Sequence, residues 1–176
     1  MRLFIAFDVS EEAREHILEL QKQLTGAKLT FTRSFHLTLK FLGEVTPEQA
    51  EDIKKKLANV KFKPFTAKLD GTGTFPSEQM IRVVWAEITP HDIIRELQKQ
   101  IDEALQGMFP KEKQFTPHLT IARVKTVENK EQFAEQVKNL KVKPITFEVK
   151  EFKLIESQLK GKEGPAYTNI AVYPGK

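Results

Sequence analysis

Apolar and polar positions along this chain fall into short blocks whose period switches repeatedly between that of a strand and that of a helix. Leu3-Phe4-Ile5-Ala6-Phe7 is too short for a helix and is bounded by Asp8 and Ser10, so it predicts a buried strand over 3–9. From Ser10 the spacing changes: Ala13, Ile17, Leu20 and Leu24 predict an amphipathic helix stopped by Gly26. A strand is expected over 35–45. Thr46-Pro47-Glu48-Gln49 then supplies an N-cap, a proline for the first turn and a capping-box glutamine, opening a helix to about Ala58. Strands over 65–75 and 80–88, joined through Pro76-Ser77-Glu78, close the first half.

The order then restarts. Thr89-Pro90 reads as the cap of a helix carrying Ile93, Ile94, Leu97, Ile101 and Leu105, with Gly107 near its end. A strand over 115–124 and a helix over 128–140 follow. Strands over 145–155 and 167–173 come last, separated by the turn-rich Gly161-Lys162-Glu163-Gly164-Pro165. One unit, strand, helix, strand, helix, strand, is thus written twice, over approximately 2–80 and 81–176. The duplication predicts an α+β fold of two pseudo-symmetric lobes, each a mostly antiparallel sheet with helices on its outer face, and an active-site cleft between the sheets. No Gly-, Pro- or Ser-rich linker divides the units, so residues 1–176 are read as a single bilobal domain.

Composition narrows the chemistry. Hydrophobic residues make up 40% of the 176 and include 13 Phe, enough for a packed interior without cross-links. The absence of Cys excludes a disulfide framework, a thiolate metal site and a Cys nucleophile together. No apolar run approaches the roughly 18 residues of a membrane span, and the opening run is too short for a signal peptide. The chain is expected to be cytoplasmic, with a monomer as the default. Its net charge of +4 suits an anionic partner such as RNA, and suits a solvated Lys-rich surface equally well.

Within the third block of each unit the same four-residue pattern recurs: His36-Leu37-Thr38-Leu39 and His118-Leu119-Thr120-Ile121, 82 residues apart. A given His is followed by Leu-Thr-aliphatic by chance roughly once in a thousand times. Alternation along a strand puts His36 with Thr38 on one face and the aliphatic pair on the other, and likewise His118 with Thr120. Two such faces opposed across a cleft suit in-line displacement at phosphorus. That reaction needs a base beside the incoming oxygen and an acid beside the leaving oxygen, and imidazole can serve as either near neutral pH. The two hydroxyls can donate to the non-bridging oxygens. Which histidine takes which role is open at this point, because the motifs are alike.

Other chemistries fit less well. A zinc site needs about three protein ligands, and none stands at ligand spacing from either histidine. No Gly-x-Ser-x-Gly nucleophile elbow is present, and Gly71-Thr72-Gly73 reads as a strand irregularity rather than a phosphate loop. His16 and His91 lack the Leu-Thr sequel and are expected at the surface or its boundary. Lys40 shares the His36 face by parity and reads as a solvated lysine at a strand end.

With both motifs in hand, the chain resembles the 2H phosphoesterase superfamily, and within it the RNA 2′,3′-cyclic phosphodiesterases, also called the 2′-5′ RNA ligase family. The resemblance runs from "R-L-F-I-A-F-D" through "F-H-L-T-L-K-F-L-G-E-V" and "F-T-P-H-L-T-I-A-R" to "E-S-Q-L" before the last strand. It implies metal-independent hydrolysis of a terminal RNA 2′,3′-cyclic phosphate to a 2′-phosphomonoester, without a cofactor. His36 would be the proton donor and His118 the proton acceptor. Thr38, Thr120 and Arg123 would bind phosphate, and Phe41 would stack a base. Strict alternation aims Phe41 and Arg123 away from the histidines, so each strand must twist or end there. Implied partners are RNAs with cyclic phosphate ends, including tRNA fragments, or nucleoside cyclic phosphates. Ser157 and Tyr167 fall in family-like positions without an assigned role. Two rivals stand beside this reading: 2′-5′ ligation as the physiological activity, and an RNA-end-binding module without turnover.

Overall fold

Five consecutive apolar residues make β1 (Arg2–Asp8) buried on both faces, and Ser10 turns the chain directly into α1 (Glu11–Gln23), its side chain accepting from the Ala13 amide at 3.1 Å. The architecture is that of a computed structural model, which describes residues 1–176 apart from the side chain of Glu163. After α1 comes β2 (Ala27–Phe31), then β3 (His36–Glu44) and α2 (Pro47–Leu57). Both halves of the capping box form in α2: Gln49 N donates to Thr46 Oγ1 and Gln49 Oε1 accepts from Thr46 N. The chain continues through β4 (Phe65–Pro76), β5 (Ile81–Thr89), α3 (His91–Ala104), β6 (His118–Val127) and α4 (Lys130–Lys138). It ends with β7 (Thr146–Val149), β8 (Glu151–Leu159), a 3-10 turn (Gly161–Glu163) and β9 (Pro165–Pro174).

All strand pairings are antiparallel, in two sheets of order β3-β1-β8-β9 and β2-β6-β5-β4-β7. The fold is therefore α+β with two sheets, as the pattern predicts. Sheet membership crosses the repeat boundary, however. β8, from the second unit, pairs with β1, and β4, from the first, pairs with β5. The exchanged β4 ends its sheet against β7, just before β8 departs: Phe65–Lys68 runs antiparallel to Thr146–Val149, with the Thr66 hydroxyl donating to the Glu148 carboxylate. This crossing also breaks the single strand expected over 145–155: its first part serves one sheet as β7 and its second part the other as β8.

The helices are exchanged as well. Gln21 of α1 donates to the carbonyl of Ile121 in β6 at 3.0 Å, while Asp102 of α3 binds Lys40 of β3 at 2.6 Å. Between helices and sheets lies one continuous core that includes Leu3, Ile5, Phe7, Leu37 and Leu39 from one sheet and Val84, Ala86, Leu119 and Ile121 from the other. Each of these side chains larger than Ala86 contributes on the order of 1.5–3 kcal/mol through burial. Phe4, Ala6 and Ile155 form a second small cluster, because alternation sends them to the opposite face of the first sheet.

Four details differ from the sequence pattern. β2 lies outside the expected strands: Ala27, Leu29 and Phe31 alternate with Lys28 and Thr30, but the strand is five residues long and largely exposed. α3 begins at Pro90 with no side-chain cap, since Thr89 is still part of β5. α4 is shorter than the expected 128–140, starting from an Asn129 cap. His16 is buried, not at the surface, and its Nε2 accepts from the Lys143 amide at 2.9 Å. No helix among the described residues is long and apolar enough to cross a membrane.

Candidate active site

Each histidine begins its strand: His36 opens β3 and His118 opens β6. Two residues on, alternation presents Thr38 and Thr120 on the same faces, while Leu37, Leu39, Leu119 and Ile121 anchor the strands in the core. Then the alternation breaks, in the same way in both copies. Against β1, Thr38 pairs with Ala6 and Lys40 with Ile5, leaving Leu39 as an extra residue. Against β5, Thr120 pairs with Trp85 and Ala122 with Val84, leaving Ile121 extra. These matched β-bulges shift parity by one residue. Both strands consequently bury three of the four residues after the motif threonine (Leu39, Lys40, Leu42; Ile121, Ala122, Val124) and leave the third, Phe41 or Arg123, exposed. The bulge is what lets Phe41 and Arg123 join the histidine faces, against the expectation from strict alternation.

His36, Thr38, Phe41, His118, Thr120 and Arg123 all line one cleft of about 1470 Å³. Phe41 is 72% exposed, an open ring face rather than a core residue. Behind it Phe4 holds the aromatic wall together, with ring centroids 6.1 Å from Phe41, 5.8 Å from His36 and 5.7 Å from Tyr167. Tyr167 meets the His36 ring edge-on at 5.4 Å and pairs across β8 and β9 with Ser157; both residues line the cleft.

The two imidazoles have different surroundings. His118 Nδ1 lies 2.7 Å from the Thr116 carbonyl, which can only accept, so Nδ1 carries the proton and Nε2 keeps its lone pair when the ring is neutral. His36 Nδ1 lies 2.8 Å from Ser34 Oγ, a group that can donate or accept. On its other side His36 Nε2 is 3.4 Å from Asp8 Oδ1. That distance is long for a hydrogen bond, so the carboxylate acts mainly through its charge. Burial is the largest influence on both rings and lowers the pKa of each below its ordinary value. At His36 the Asp8 charge opposes this and Lys153 reinforces it; at His118 the Thr116 carbonyl opposes it and Arg123 reinforces it.

Lys40 departs furthest from expectation. It is buried, 3% exposed, because the bulge turns it away from the His36 face. Its ammonium donates to Asp102 Oδ1 at 2.6 Å and to the Pro110 carbonyl at 2.7 Å, and it lies 3.4 Å from Glu112 Oε1. Burial disfavours the Asp102 carboxylate, but bonds from Lys40, the Glu112 amide and Gln98 outweigh it and hold its pKa below the usual range. The segment that leads into His118 is thus tied to β3 by a buried ion pair.

Asp8 was visible in the sequence only as the end of the first strand; its contact with His36 follows from the pairing of those two residues across β1 and β3. His91, expected near the surface, is partly exposed and sits 2.8 Å from Glu87. Gly71-Thr72-Gly73 does mark an irregularity, a register shift between Leu69 and Thr72. No group of three or more His, Asp or Glu side chains among the described residues is arranged to hold a metal ion.

Comparison with known proteins adds an independent line. The family description of the 2′-5′ RNA ligase superfamily matches residues 6–161. A protein of Methanocaldococcus jannaschii named RNA 2′,3′-cyclic phosphodiesterase is 39% identical over 174 residues, covering 97% of this chain and 98% of the relative. A protein of the same name from Archaeoglobus fulgidus is 34% identical, covering 98% of this chain and 99% of its own. Among solved structures, one from Thermus thermophilus superposes with a TM-score of 0.71 at 31% identity, covering 99% of this chain and 97% of the other.

Proposed function

The chain belongs to the 2′-5′ RNA ligase superfamily, and we propose that it is an RNA 2′,3′-cyclic phosphodiesterase. It opens the cyclic phosphate at an RNA end to leave a 2′-phosphomonoester and a free 3′-hydroxyl. The observation that carries this reading is the pair of His-x-Thr faces, from different sheets, lining one cleft. The name shared by relatives that match nearly the whole chain supports it.

In the proposed mechanism His118 Nε2 takes a proton from water as the water oxygen bonds to phosphorus. The P–O3′ bond breaks, and His36 gives its proton to O3′. The differing surroundings of the rings favour this division of labour. A carbonyl acceptor on Nδ1 leaves His118 Nε2 free to accept a proton, and the Asp8 carboxylate favours the protonated form of His36. Thr38, Thr120 and Arg123 are assigned to the non-bridging oxygens, where negative charge grows in the transition state. Phe41, with its open face, is assigned to the terminal base. None of these steps calls for a metal ion. The protein is taken to act as a cytoplasmic monomer on RNA ends such as tRNA fragments.

The test is to incubate the protein, in EDTA, with a short RNA ending in a 2′,3′-cyclic phosphate and to identify the product by phosphorus NMR. A 2′-phosphate is expected, with the rate reduced by roughly 10²-fold or more in His36→Ala and in His118→Ala. A 3′-phosphate would contradict the assigned leaving group. An unchanged cyclic end with retained RNA binding would favour an end-binding module.

A further inference from the structure

Gly73 of β4 sits directly across from Trp85 of β5, and a Cβ at position 73 would collide with the indole's six-membered ring. The glycine therefore lets the indole lie flat over β4. On top of it Phe75 is stacked, ring centroids 4.9 Å apart and 29° between planes. Phe75 also meets His118 edge-on at 5.1 Å, and it is half-buried and lines the cleft. The His118 wall thus carries a partly open aromatic ring on a rigid backing, as the His36 wall carries Phe41 backed by Phe4.

Hydrolysis gives no reason for such a ring, because the group entering on the His118 side is water. The cleft is also large. About 1470 Å³ exceeds the roughly 300–1,000 Å³ of a site for one drug-sized ligand, so a second nucleoside fits beside the terminal one. We propose that Phe75, backed by Trp85, is a stacking platform for the base of a second nucleoside, whose 5′-hydroxyl stands where water otherwise attacks. Aromatic stacking of one base is worth about tenfold to a hundredfold in affinity. The inference rests on the phosphodiesterase reading for its chemistry.

With such an acceptor bound, His118 Nε2 takes the 5′-hydroxyl proton as the O5′–P bond forms. The P–O3′ bond breaks and O3′ takes a proton from His36. The product is a 2′-5′ diester with a free 3′-hydroxyl, and no further reactant is consumed. Run backward, the same steps cleave a 2′-5′ diester to a cyclic phosphate and a 5′-hydroxyl.

Trp85 is the single tryptophan of the chain, so its fluorescence reports on the platform directly. Adenosine, which has no phosphate, is titrated against the wild type, Phe75→Leu and Phe75→Tyr. In parallel, cytidine 2′,3′-cyclic phosphate is offered with adenosine or with glycerol as the competing alcohol. The expected results are a saturable fluorescence change lost in Phe75→Leu and kept in Phe75→Tyr, and a transfer-to-hydrolysis ratio at least about tenfold higher for adenosine than for glycerol. That ratio should fall in Phe75→Leu and recover in Phe75→Tyr. Equal, non-saturating transfer to both alcohols, or a ratio untouched by Phe75→Leu, would overturn the platform. If the cyclic phosphate is not consumed at all, the phosphodiesterase reading fails, and the fluorescence titration still decides whether Phe75 binds a base.

Discussion

Asp8 Oδ1 stands 3.4 Å from His36 Nε2, whereas Glu87, which pairs with His118 across β5 and β6 as Asp8 pairs with His36 across β1 and β3, turns to His91 at 2.8 Å. The duplicated motifs are therefore not electrostatically equivalent. One imidazole faces a carboxylate, itself bonded to Lys153 at 2.5 Å; the other faces a backbone carbonyl and, at longer range, Arg123. This asymmetry makes the roles of the two histidines separable by experiment.

Asp8→Asn removes the one influence that raises the His36 pKa through charge. If His36 is the acid, the alkaline limb of the kcat/KM profile should move to lower pH and the acidic limb should stay. Movement of the acidic limb instead would assign His36 as the base. The measurement is a pH profile of cyclic phosphate opening for both proteins.

The wild-type profile itself should be a bell, since the proposed mechanism needs one ring neutral and the other protonated. Burial lowers both rings below 6.5, so the maximum should fall on the acidic side of neutrality. A flat profile between about pH 5 and 8 would contradict two-histidine catalysis. The same shifts bear on stability. For a group whose folded pKa is lowered, the unfolded chain binds protons first as pH falls. The contribution present above pH 6.5 is then lost as pH drops through the folded values. Urea midpoints should decrease over that window.

Lys40→Met leaves the Asp102 carboxylate buried without its cation. Breaking a buried pair from one side costs about 3–5 kcal/mol, and urea unfolding should show a loss of that order. Lys40→Met combined with Asp102→Asn should recover much of it, because no unpaired charge remains. A loss below about 1 kcal/mol in the single variant would mean that the pair is solvated.

Gly73→Ala sets a methyl group against the indole of Trp85. Overpacking of this kind costs about 1–3 kcal/mol, and displacement of the ring should alter the Trp85 emission spectrum. An unchanged spectrum and unfolding midpoint would show that the strand shifts to make room.

Much of this was legible in the sequence because it is written in local pattern. The α1 and α2 caps are side chains adjacent to the helices they serve, and the motif threonines share a face with their histidines through simple alternation. What was hidden depends on partners distant in the chain. β2 alternates Ala27, Leu29 and Phe31 with Lys28 and Thr30, but so short and exposed a run is held as a strand by its pairing with β6. The bulges at Leu39 and Ile121 exist only relative to β1 and β5, and parity counted along one strand could not reveal them. The burial of Lys40 has the same origin: it needs both the bulge and Asp102, 62 residues away. The crossing of β4 and β7 was equally out of reach, since a continuous apolar run does not record which sheet each part joins.

That crossing sets a timetable for synthesis. Arg2 is paired with Ser157, so β1 lacks its β8 neighbour until synthesis has passed residue 157. Until then one edge of a highly apolar strand is open to pairing with other chains. Pairings of such long sequence separation also slow refolding from denaturant. A nascent chain stalled after the first unit would hold one complete copy of the His-x-Thr motif and still lack two of the four strands of one sheet and three of the five of the other.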